Sequence, residues 1–142
     1  QHPNPEWFRD AKFGIYTHWG PYSVPEWGDE WYARRMYLNK KKKNGNFYVF
    51  HKERYGDPAD FGYKDLIPLF TADNFDADEW ADLFVNSGAK FAGPVAEHHD
   101  GFAMWDSDLT KWDAMDMGPR RDIVGELGKA LKGRGMKFVT SF

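Results

Sequence analysis

The chain has 142 residues, enough for one domain. Its net charge of −3, from 19 Lys+Arg against 22 Asp+Glu, gives no broad basic field, so nucleic acid is not expected as a partner. Cysteine is absent, which excludes thiolate metal sites, disulfides and thiol nucleophiles together.

No apolar run approaches the ~18 residues of a membrane span, so no membrane partner is expected. The first residues carry no signal-peptide pattern, and Gln1 is compatible with a mature end or with a segment boundary. Aromatic residues make up 18% of the chain, including seven Trp and seven Tyr. Some must build a core. Trp and Tyr in loops also suit a sugar-binding cleft, because pyranose rings stack their C–H faces on aromatic rings.

The first predicted element is a strand within AKFGIYTHWG, 11–20. A long excursion follows, including NKKKKNGN at 39–46, which reads as a solvated loop. The next element is a helix over 76–88. Asp76 with Glu79 is a plausible N-cap pairing. Ala77, Trp80, Ala81 and Phe84 share a face with Leu83 beside it, and Gly88 is the stop signal. A second strand is expected within AKFAGPVAEHH, 89–99, followed by a loop over 107–118 that carries Trp112. Trp105 and Trp112 could wall a cleft or pack beneath that loop. Within GPRRD, Arg120 and Arg121 could hold an anion, pair with rim carboxylates or form a loop salt bridge. A second helix over 121–135 buries Ile123, Leu127, Ala130 and Leu131 and ends at Gly133 or Gly135. The third strand is MKFVTSF, 136–142.

Helices that enter strands through short glycine turns indicate parallel pairing. An open doubly wound sheet would place a glycine-rich phosphate loop after the first strand. THWGPYSVPEWG stands there instead, with no G-x-G-x-x-G and no Walker lysine. Polar-aromatic loops at strand C-termini fit a (β/α)8 barrel better. Such barrels take about 250 residues, so three strands represent the opening part of one.

In a parallel barrel the residues just past each strand converge. The first strand delivers Thr17, His18 and Trp19; the second delivers Glu97, His98, His99 and Asp100. The excursion supplies Glu30, Trp31 and Tyr32. Three chemistries compete. Metal binding is disfavoured for the adjacent pair, since neighbours on a strand point to opposite faces and no H-x-x-x-H spacing occurs. No metal and no cofactor are expected. Proton transfer suits histidine near neutral pH, but no nucleophile elbow accompanies it. Gripping a polyhydroxylated ligand uses imidazoles as donors and acceptors and carboxylates as paired acceptors, with Trp19 and Trp31 for stacking. The plainer alternative is that one histidine bonds backbone inside the barrel.

AKFGIYTHWGPYSVPEWGDEWY, YKDLIPLFTADNFDADEWADLF, GAKFAGPVAEHHDGFAMWDS and MGPRRDIVGEL together resemble the α-L-fucosidases of glycoside hydrolase family 29. The resemblance implies a retaining exo-glycosidase on an irregular (β/α)8 domain, acting on fucosylated glycans in a secreted, periplasmic or lysosomal setting. By motif match it makes His18, Glu30, Trp31, His98 and His99 substrate-binding residues of the −1 subsite. It places the nucleophile Asp and the acid/base Glu beyond Phe142, so no catalytic residue is expected among these 142. The rest of the barrel then becomes a required partner, in the same or another chain. The alternative is a non-catalytic sugar-binding or scaffold fragment. Without the resemblance, Glu97 and Asp100 would be the candidate carboxylates; with it, they become supports for the imidazoles.

Overall fold

A computed structural model describes residues 3–43 and 45–142. Three parallel strands lie in the order β1 (Gly14–Thr17), β2 (Phe91–Pro94) and β3 (Lys137–Phe138). Gly14 to Thr17 pair with Phe91 to Pro94, and Phe91 and Ala92 pair with Lys137 and Phe138. The pairing continues past β3 through a bridge between Val95 and Ser141, where the Ala96 N–H donates to the Ser141 carbonyl at 2.9 Å. The strands are shorter than the sequence reading drew them, because the residues past each one turn into rim loops.

Among the described residues, five α-helices accompany the sheet: α1 (Glu6–Ala11), α2 (Tyr32–Arg35), α3 (Phe47–Tyr55), α4 (Ala77–Asn86) and α5 (Ile123–Gly133). 3-10 segments span Pro21–Ser23 and Tyr63–Leu69. Helices α4 and α5 are the crossovers of the two parallel connections and pack on each other. The Asp76 carboxylate accepts from the Asp78 and Glu79 N–H groups at 2.9 Å, satisfying donors that the helix start leaves free. Asp122 caps α5 in the same manner through the Gly125 N–H at 2.7 Å. Gly88 and Gly135 take the positive φ that ends each helix region.

The main core joins this sheet to α4 and α5. Ile123, Leu127 and Leu131 are buried on one face of α5, and Ala81 and Phe84 on one face of α4. Each fully buried leucine contributes ~2 kcal/mol. Leu83, beside that face, is 64% exposed, one position off the residues Trp80, Ala81 and Phe84 that cover the core. Arg134 ties the two helices outside the core, donating to Asp82 at 2.6 and 3.0 Å and to Asp78 at 2.7 Å. Arg121 makes the loop salt bridge, to Glu126 at 3.0 and 2.5 Å, and also donates to the Phe75 carbonyl at 2.9 Å.

The excursion builds a second core from Tyr22, Tyr32, Met36, Phe47, Tyr63 and Leu66. Helix α3 is set by its cap, with the Asn46 side chain accepting from the Val49 N–H at 3.3 Å. It buries only Phe47 and His51, so it carries no broad apolar stripe. The lysines at 40–43 of the basic stretch are all exposed, as a solvated loop requires; Asn44 lies outside the described residues. No helix among the described residues is long and apolar enough to cross a membrane.

Gly93 governs the approach of the third strand. A Cβ there would overlap the Val139 carbonyl oxygen and come within 2.8 Å of the Val139 carbonyl carbon. Both are backbone atoms that no rotamer change can move. Gly93→Ala should therefore destabilise the intact protein by about 2–3 kcal/mol, read as a lower urea midpoint at unchanged m. An unaltered midpoint would mean the strand simply shifts.

Candidate functional site

The strand ends bring His18 and His98 together. Thr17 is level with Pro94, and the Val95 N–H donates to the Thr17 carbonyl at 2.9 Å. The backbone leaves the sheet just past this point on both strands. The His18 and His98 rings then meet edge to face, 5.4 Å between centroids. His99 lies 4.8 Å from His98 at a steep angle. The chain leaves the strand and turns at His99, so the two neighbouring rings stay in contact, edge to face.

The loop before α2 supplies the opposite wall. Trp31 stacks on His99 at 4.4 Å and meets His98 edge-on at 5.5 Å. Glu30 places a carboxylate oxygen so that it and one nitrogen each of His18 and His98 all lie within 4.8 Å of one another. The loop is held by Asp29, which accepts from the Trp31 N–H at 3.0 Å and forms an ion pair with Arg35. All five residues nominated from sequence, His18, Glu30, Trp31, His98 and His99, therefore gather at one place. Two hollows adjoin at His18. One, of about 470 Å³, is lined by Tyr16, Glu97, His98, His99 and Ser141 among others. The other, of about 400 Å³, is lined by Tyr22, Trp27, Asp29 and Glu30 among others.

Trp19 does not join them. It packs on Phe70, Phe75 and Trp80 at 4.9–5.4 Å and so belongs to the main core. Consecutive residues at a strand end point apart, and Trp19 takes the inward side. Trp105 contacts the Phe142 ring at 5.4 Å. Trp112, beyond it in the loop, borders a separate hollow with Tyr63 and Asp100.

Sequence reasoning missed two residues here. Tyr22 lies edge-on to His98 at 5.6 Å, and Tyr63 donates its hydroxyl to Asp100 at 2.6 Å. Tyr22 stands four residues after His18 in the same HWGPYSVP run, and its place in that rim loop was the available signal. Nothing local marks Tyr63. Asp100 also accepts from the Phe102 N–H at 3.2 Å, which anchors the turn after the histidines.

The electrostatics follow from this packing. Burial pushes the Asp100 carboxyl above its ordinary value, against the hydrogen bonds from Tyr63 and Phe102. Burial raises the Tyr22 phenol, and Asp100 and Glu30 raise it further. Burial lowers His98 below 6.5; His99 and His18 add to the depression, while Asp100 and Glu30 oppose it. His98 Nδ1 and Thr17 Oγ1 are buried with no hydrogen-bond partner among the described residues. Buried polar atoms are normally bonded, so the His98 imidazole has capacity left over. His51 is the opposite case: it takes a bond from Tyr32 at 2.9 Å on Nδ1 and gives one to the Phe61 carbonyl at 2.8 Å from Nε2. Both of its nitrogens are used inside the fold.

Histidines, a carboxylate and a tryptophan thus gather past the ends of a parallel sheet beside open hollows, an arrangement able to hold a small polar ligand. The alpha-L-fucosidase family model matches residues 1–142, and the chain belongs to that family. It is 46% identical over 138 residues to the tissue alpha-L-fucosidase of Rattus norvegicus, covering 96% of this chain and 29% of that one. It is 46% identical over 131 residues to the plasma alpha-L-fucosidase of Homo sapiens, covering 92% and 27%. The Thermotoga maritima alpha-fucosidase solved in complex with fucose superposes with a TM-score of 0.86 at 39% identity, covering 96% of this chain and 33% of that one. The chain thus spans under a third of the length of these curated relatives.

The depressed His98 has a measurable consequence. The unfolded imidazole takes a proton near pH 6.5 and the folded one only below that. Stability linked to this group is therefore full above 6.5 and lost as pH falls through the folded value. In the intact protein, NMR should show His98 titrating below 6.5, and Asp100→Asn should move it lower still by removing an opposing charge. Titration above 6.5 would refute burial as the controlling effect.

Proposed function

We propose that these residues are the opening part of a (β/α)8 catalytic domain of a retaining α-L-fucosidase, carrying the fucose-binding half of its −1 subsite. The observation that carries this reading is the convergence of His18, Glu30, Trp31, His98 and His99 from three separate segments. The parallel sheet with α4 and α5 as crossovers supports the barrel. So does a detail of register: a Lys-Phe pair opens each strand region (Lys12–Phe13, Lys90–Phe91, Lys137–Phe138) and steps by one residue from strand to strand, Phe91 lying level with Gly14, one past Phe13, and with Lys137, one before Phe138. Eight strands with a shear of eight need about that average step.

The chemistry favours binding over reaction by these side chains. A neutral imidazole offers one donor and one acceptor, which matches a hydroxyl, and His98 is held neutral by burial. Glu30 accepts from hydroxyl groups, and Trp31 provides an apolar face. Retention needs two carboxylates about 5–5.5 Å apart. Asp100 is turned toward Tyr63 and Phe102, away from such a role. Nucleophile and acid/base come from residues outside this sequence, and fucosylated glycans are the substrate class.

Turnover of an aryl α-L-fucoside by the intact protein tests the reading. His18→Ala should raise KM and lower kcat together, cutting kcat/KM by roughly 10–100-fold, since its hydrogen bonds strengthen as charge develops on the sugar. Glu97→Gln should retain turnover within about tenfold. Unchanged kinetics for His18→Ala, or complete loss with Glu97→Gln, would sink the assignment.

A further inference from the structure

We infer that His18, Glu30 and His98 form a binding site for a zinc-type divalent cation, and that such a cation and the sugar exclude one another. The three donors come from different places: His18 just past β1, Glu30 in the loop before α2, and His98 past β2. One ligand atom from each lies within 4.8 Å of the other two, the single such group among the described residues. Two nitrogens and one carboxylate oxygen are a set that zinc takes when a fourth position stays open. Imidazole also sets the preference, since calcium and magnesium seek oxygen alone.

The geometry needs little adjustment. Ligand atoms about 2.0–2.2 Å from a zinc ion stand at most ~4 Å from each other. The group therefore closes by about an ångström. His18 is exposed and Glu30 and His98 are half-buried, so rotamer changes can supply that motion. A second observation points the same way. His98 Nδ1 is buried with no hydrogen-bond partner among the described residues, so this imidazole is not spent on the fold and has an unfilled bonding demand. His99 stays outside the group, with Trp31 stacked on its ring. The earlier objection to chelation by adjacent histidines therefore does not apply, because the two imidazoles come from different strands.

No covalent step is involved. The cation takes the same lone pairs of His18, Glu30 and His98 that would meet sugar hydroxyls, and bound sugar takes them from the cation. The exclusion half rests on the sugar-binding reading above; the metal half does not.

The test uses the intact protein, stripped of metal by a chelator and dialysed. Zinc chloride should bind in calorimetry and raise Tm, as any ligand of the folded state does. Cobalt chloride should give the visible ligand-field bands of a low-symmetry nitrogen–oxygen site. His18→Ala and Glu30→Gln should each weaken zinc binding by more than the about 10–100-fold that outer-shell changes cost at metal sites. Zinc should inhibit competitively against an aryl fucoside, with chelator restoring activity. Tm without metal checks that both variants fold. Zinc affinity unchanged in both variants would overturn the site. Binding that both substitutions abolish, but that free L-fucose leaves untouched, would uphold the metal site and count against the sugar reading.

Discussion

The register between β1 and β2 is the constraint on which the rest depends. Four parallel pairs run from Gly14↔Phe91 to Thr17↔Pro94, and the Val95 N–H to Thr17 carbonyl bond carries them one step further. This brings the segment holding His18 beside the one holding His98. A slip of one residue would turn every side chain of a strand to its other face. It would set Trp19 toward the hollows and His18 toward the core. Burial resists this. Ala92 is fully buried and Trp19 fills a pocket of Phe70, Phe75 and Trp80, so the slipped register would expose a large indole and bury an imidazole. The aromatic core behind the sheet thus selects the face on which the histidines stand.

The loop that completes the site is held by polar bonds rather than by pairing. Asp29 fixes the turn that carries Glu30 and Trp31. Immediately after it, buried Tyr32 donates to His51, and His51 donates to the Phe61 carbonyl. Every nitrogen in that relay is satisfied, which avoids the ~1–3 kcal/mol that an orphaned buried group costs. The chain contains buried or half-buried imidazoles of two kinds. His51 spends both nitrogens on the fold and stiffens the support. His98 keeps one nitrogen unspent beside a hollow. A histidine's role here can be read from the accounting of its two nitrogens.

Much of this was legible in the residues, and the failures have physical causes. Helices α4 and α5 were visible because apolar residues recur at helical spacing and are bracketed by Asp caps and glycine stops. The parallel order followed from helices feeding strands through short turns. The meeting of His18 with His98 followed from the rule that strand ends of such a sheet converge, whereas the choice of all five site residues came from the family resemblance. Helix α3 was not visible because FYVFHKERY buries only two positions, one of them a histidine, and periodicity counts neither as a stripe. Trp19 was assigned to the cleft because sequence alone does not say which way a residue turns just past a strand. Tyr63 lies 37 residues from Asp100, and only the folded chain shows that they meet.

The sugar contact and the cation contact proposed for this site draw on the same physical property. Each needs an imidazole with a free lone pair, which means a neutral one, and each needs a carboxylate that is not already committed. Burial and the nearby His99 and His18 hold the proton off His98. Asp100 pulls the other way, yet it is itself half-buried and occupied by Tyr63 and Phe102, so its opposition is contained. Glu30 sits on a pinned loop, half-buried among these rings, where its oxygens face two imidazoles. A general acid–base histidine would need a proton poised to move at neutral pH and an adjacent group to receive it. This cluster is arranged against that: its central imidazole is driven toward one protonation state, and the half-buried carboxyl next to it is spent on structure. What remains is a set of fixed donors and acceptors, whose chemistry lies in what they hold.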